Sequence, residues 1–107
     1  MDERTGGAVL ERCFSAAGFH IEHGFKLVGA GFEVVLDGYD PAHRVGYEYL
    51  TTEAGDRVEL TPAVIAALEA AIERGDFHLL LIDELEVADE AELELAAQRF
   101  IARLPRP

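Results

Sequence analysis

Apolar residues recur at helical spacing in three stretches of the chain and at alternate positions between the first two. In the first stretch Val9, Leu10, Cys13, Phe14 and Ala17 make one face, with Thr5 as the expected N-cap and Gly18 as the stop. In the second, Thr61 caps and Pro62 occupies the first turn, where its missing N–H costs nothing. Val64, Ile65, Leu68, Ala71 and Ile72 then form a stripe that Gly75 ends. The third opens at Asp89 with Glu92 three residues on, a capping-box-like pair, and carries Leu93, Ala96, Ala97, Phe100 and Leu104 to a stop at Pro105. Its acidic first turn, and Arg99 and Arg103 in its last, suit the helix dipole.

Between the first two helices the period changes to two. Phe19 and Ile21 alternate with His20 and Glu22, a segment from Phe25 to Val28 follows, and Gly29-Ala30-Gly31 reads as a turn. Phe32, Val34 and Leu36 then point one way and Glu33, Val35 and Asp37 the other, while Val45, Tyr47 and Tyr49 oppose Gly46, Glu48 and Leu50. Phe77 to Asp83 is a continuous apolar run of strand length, the pattern of a strand buried on both faces. The expected architecture is a single α/β (α+β) domain over residues 1–107. Its order is helix, three-strand antiparallel meander, helix, strand, helix, around one mixed sheet.

Charge narrows the choice of partner. Twenty-one acidic against nine basic residues give a formal net charge of −12. The only lysine is Lys26 and the arginines are scattered, so the surface repels polyanions and nucleic acid is an unfavourable partner. Basic proteins and cations are favoured. No apolar run approaches the roughly 20 residues of a membrane span. The polar start "MDERTGG" lacks the pattern of a secretory signal, and the lone Cys13 falls on a helix's apolar face. The expectation is a soluble, cytoplasmic protein.

The segment "VLDGYDPAHRVGYEYL" (35–50) carries the candidate chemistry. If the loop from Gly38 to His43 joins two antiparallel strands, Asp37 faces Arg44, Val35 faces Gly46 and Glu33 faces Glu48. Glu33, Asp37 and Glu48 would then share one sheet face. They would there either hold a divalent cation such as magnesium or manganese or stand simply solvated beside Arg44. Of the four histidines, His20 and His23 flank Glu22 on an expected strand edge, His43 is expected in the hairpin turn near Asp40, and His78 in the buried strand. Ser15 is the only serine and no nucleophile-elbow sequence surrounds it, so covalent catalysis has little support.

The order of elements, with "LDGYDP" and "VGYEYL", resembles the restriction-endonuclease-like nucleases of the PD-(D/E)-x-K signature. The resemblance implies that Asp37 and Glu48 stand at the two acidic positions of that signature, with Glu11 of the first helix as a further acid. Leu50 occupies the place of the lysine that positions water and stabilises charge on the phosphate. The resemblance therefore implies the fold rather than the chemistry. The function expected is a non-catalytic protein–protein interaction module with no cofactor. It would present carboxylates and Tyr39, Tyr47 and Tyr49 to a basic protein partner, or pair with itself through an uncovered sheet face or edge. The alternative is a metal-dependent nuclease or phosphodiesterase using Asp37 and Glu48.

Overall fold

The computed structural model describes residues 2–51 and 60–105. Helix α1 runs Glu3–Ala16, strand β1 Glu22–Gly29, β2 Phe32–Asp40 and β3 Val45–Leu50. Helix α2 runs Pro62–Glu73, β4 His78–Asp83 and α3 Glu90–Ala102, with a 3-10 turn at Glu84–Glu86. The order matches the expected one, and the four strands form one mixed sheet in the order β1-β2-β3-β4. β1, β2 and β3 are antiparallel and β3 and β4 parallel, with α2 as the crossover. Among the described residues no helix is long and apolar enough to cross a membrane.

The cap signals are obeyed with two adjustments. Asp2, not Thr5, caps α1, its carboxylate accepting the Thr5 N–H at 2.8 Å. The full reciprocal capping box forms at Asp83 and Glu86 of the 3-10 turn. At α3, Asp89 accepts the Glu92 N–H at 2.9 Å, while the Glu92 carboxylate takes the N–H of Ala88, one residue before the cap. Gly18 and Gly75 end α1 and α2 with φ of 99° and 80°, left-handed conformations that glycine adopts without a Cβ penalty.

Each sheet face buries its own core. On one side α1 and α3 cover Val45, Tyr47, Tyr49 and Ile82 with Val9, Leu10, Phe14, Leu93 and Ala97. On the other, α2 brings Leu68 and Ala71 onto Phe32, Val34, Leu36, Tyr39 and Leu79. The strand alternation slips once. Val34 and Leu36 face α2 and so does Tyr39, an odd step that occurs opposite Gly24, whose φ is 60°. This local kink brings the Phe25 ring to 4.7 Å from that of Tyr39. Phe19 and Ile21, expected in the strand, precede β1, and Phe19 packs instead beside Phe14 at 6.2 Å.

The hairpin register differs from the expected one. β2 continues three residues past Asp37, and the pairs are Gly38 with Tyr47, Tyr39 with Gly46 and Asp40 with Val45. Arg44 does not face Asp37, and Glu33 does not face Glu48. The cause is Asp40. Its Oδ1 accepts the N–H groups of Ala42 and His43 at 2.9 and 3.1 Å, which fixes the turn beyond it, and Arg44 completes the reversal at φ 56°.

Candidate functional site

Pairing between β2 and β3 is confined to the three pairs above, so the strands part at Asp37. There the Asp37 carboxylate takes the place of a ladder partner, its Oδ2 accepting the Tyr49 N–H at 2.8 Å. The gap opens into a cleft lined by Glu11, Arg4 and Gly7 of α1, His23 of β1, Asp37 and Tyr47. Glu11 Oε2 lies 3.4 Å from His23 Nε2. Burial, then the nearby carboxylates of Glu11 and Asp37, raise the Tyr47 pKa far above that of an ordinary phenol, so the ring stays protonated at any physiological pH.

The three carboxylates expected to share a face are distributed differently. Glu33 is exposed on the outer hairpin, with Oε1 3.2 Å from Lys26 Nζ. Glu48 is only 3 % exposed; it alternates with Tyr47 and Tyr49 and so points to the α2 side, with Leu81 as its neighbour on β4. Glu48 has an interaction partner of its own. Asp37 keeps company with Glu11 instead. Among the described residues no group of three or more His, Cys, Asp or Glu is placed to hold a metal ion.

The tyrosines correct the interaction reading. Tyr39, Tyr47 and Tyr49 are all buried, so none presents a ring to a partner. Their phenols are raised above the ordinary value chiefly by that burial.

The residue that sequence reasoning undervalued is Asp40. It is buried, its Oδ2 accepts the His20 N–H at 2.9 Å, and the same oxygen lies 2.8 Å from His43 Nδ1. Burial alone would raise its pKa, but the hydrogen bonds from His20 and His43 outweigh that and hold the carboxyl below the usual range. The signal was the Asp-Pro pair at 40–41, an Asx-turn signature, although contact with His20 needed the fold. The His43 ring packs edge-on to Phe19 at 5.5 Å. Beside it a cavity of about 210 Å³ is lined by His43, Arg44, Asp76 and His78. Among the described residues, no serine, threonine, cysteine, tyrosine or lysine lines it.

Two further surfaces lie apart from the cleft. A cavity of about 500 Å³ lies between α1 and α3, lined by Arg12, Cys13, Glu94 and Leu104 among others. Burial, then the Glu94 carboxylate, pushes the Cys13 thiol above its ordinary pKa, which disfavours the reactive thiolate. The second surface is the acidic stretch from Asp83 to Glu94, where Leu85 is 81 % exposed. Comparison of the chain with protein-family models, with curated proteins and with solved structures finds no match.

Proposed function

We propose that the chain is a non-catalytic, cytoplasmic protein–protein interaction module that takes a basic partner on its acidic edge. The observation that carries this reading is the exposed Leu85. It stands in a stretch, Asp83 to Glu94, where seven of twelve residues are acidic and none is basic. A leucine bordered by carboxylates offers an apolar contact inside an attractive field for cations. The field speeds encounter with a basic segment and desolvation of the leucine slows its departure. The stretch is also preorganised. Asp83, Glu86, Asp89 and Glu92 each accept a backbone N–H within it, so little ordering entropy is lost on binding.

A labelled peptide of alternating lysine and leucine tests the reading against a lysine–glycine peptide of equal charge. The lysine–leucine peptide is expected to bind more tightly, with affinity falling as salt rises. Leu85→Ser should weaken it by about tenfold, the loss of roughly 1.4 kcal/mol of apolar contact, and leave the glycine peptide unchanged. Equal binding of both peptides, untouched by Leu85→Ser, sinks this assignment.

A second reading, a metal-dependent nuclease or phosphodiesterase, is favoured by one observation: Asp37 and Glu11 line the same cleft where the strands part. Against it stand Glu48 on the opposite face and the apolar Leu50. With magnesium or manganese the protein is expected to leave DNA and RNA intact, and its Tm should rise no more than in monovalent salt of matched ionic strength. A true site would add roughly 2.7 kcal/mol when the free ion is a hundredfold above its dissociation constant. Such a gain, absent from Asp37→Asn, would transfer the assignment to the enzyme.

A further inference from the structure

Helices α1 and α3 pack over β3 and β4, and the outer halves of β1 and β2 keep the face away from α2 open. Lys26 pairs across the strands with Val35, and Val28 with Glu33, so these four side chains form a rectangle on that open face. The valines occupy one diagonal, 62 % and 51 % exposed. Lys26 and Glu33 occupy the other and reach each other at 3.2 Å. Leu27 and Val34 of the same strands point the other way and pack beneath α2, so the hairpin is anchored from behind.

We infer that this patch is the contact of a symmetric homodimer, with a second copy of the chain as its occupant. The patch sums to zero charge on a chain of net charge −12, so it offers no attraction to the basic partner that the rest of the surface favours. It is complementary to itself. A two-fold axis along the Val28–Val35 diagonal lays each valine on its counterpart and sets Lys26 of each copy over Glu33 of the other. With strands about 4.8 Å apart and alternate residues about 6.7 Å apart, this operation crosses the hairpins at roughly 70°, nearer the orthogonal than the aligned packing of sheets. The acidic stretch after β4 lies at the far edge of the sheet. Three strand spacings, about 14 Å, separate that edge from β1, more than the Debye length of about 8 Å at physiological salt. Two copies therefore meet without stacking their most acidic segments. Four side chains make a small interface, which places the association in the weak, concentration-dependent class.

Sedimentation equilibrium of the whole chain over a wide concentration range tests the inference. The parent is expected to show a monomer–dimer equilibrium that Val35→Asp abolishes, with only a modest fall in melting temperature because Val35 is half exposed in the monomer. Lys26→Glu and Glu33→Lys should each lose the dimer alone. Mixed in equal amounts they should regain it as a heterodimer, because the glutamate introduced at 26 then meets the lysine introduced at 33. The mixture also decides the matter should Val35→Asp fail to fold. A parent that stays monomeric up to millimolar concentration overturns the inference, as does a dimer that survives Val35→Asp or a mixture that stays monomeric. None of these results bears on Leu85, so this inference and the acidic-edge reading fail separately.

Discussion

Gly46→Ala is expected to destabilise the protein by about 3 kcal/mol or more, at the upper end of the cost of overpacking a core. A Cβ at Gly46 would come within 2.5 Å of the Gly38 carbonyl oxygen and 2.7 Å of the Tyr39 ring. The first of these is backbone of a paired β2 residue and cannot swing aside. Gly38→Ala should behave similarly, since its Cβ would meet the Tyr47 ring at 2.3 Å and that ring is held by Phe14 at 5.0 Å. The neighbouring pair Gly6 and Gly7 supplies the control. A Cβ at Gly6 would strike the Tyr49 ring at 2.7 Å, whereas at Gly7 nothing lies within 4 Å. Gly7→Ala should therefore stabilise α1 by about 0.5–1 kcal/mol, the helix preference of alanine over glycine, while Gly6→Ala destabilises. Urea unfolding of the four variants reads this directly, and equal effects at Gly6 and Gly7 would refute the packing of α1 on β3.

Asp40→Ala is the second large effect, a loss of about 3 kcal/mol and a drop in Tm on the order of 10–20 °C. The carboxylate serves three backbone N–H groups, those of His20, Ala42 and His43, besides the His43 ring. Removing it leaves part-buried donors without their acceptor and frees the turn that sets the hairpin register. The pH dependence has a definite sign. Asp40 titrates below an ordinary aspartate, so its stabilisation is complete above the usual carboxylate range and is lost as the pH falls through and below about 4. Asp40→Asn keeps the shape but sets an amide where charge is wanted, so it should flatten that acid limb of the stability curve at a smaller cost near neutrality. Stability curves of parent and Asp40→Asn that run parallel from pH 6 to pH 2.5 would show that Asp40 is not held in the charged form.

How far the candidate site was legible follows from the reach of each signal. Asp37 was identified as a residue of interest, and it does stand at a junction, where its carboxylate takes the Tyr49 N–H. Glu11, which lines the cleft with it, was named only through the nuclease resemblance, and the relation of Asp37 to Glu33 and Glu48 was not legible because that depends on register. The expected loop began at Gly38, whereas the real turn begins after Asp40, and four residues of difference in pairing moved Glu33 away from β3. Tyr39, Tyr47 and Tyr49 were read as a binding surface because aromatic residues suit strands and interfaces alike. Only the helices lying over them decide between the two, and they bury all three rings.

The sequence by itself determined the elements and their order. Helical periodicity, caps such as Thr61 and Asp89, and stops such as Gly18 and Gly75 act within a few residues, so they are written locally. The α+β class followed from that order, since a three-strand meander and a helix leading into an apolar strand leave few ways to form one sheet. The tertiary structure alone decided which carboxylates meet. Register, the slip of alternation opposite Gly24, and the placement of Glu48 on the sheet face away from Asp37 all depend on contacts between residues distant in the chain. It also decided what stays exposed. Val28 and Val35 have the same strand-forming character as Val34, and only the placement of α1 and α3 over β3 and β4 leaves their face uncovered.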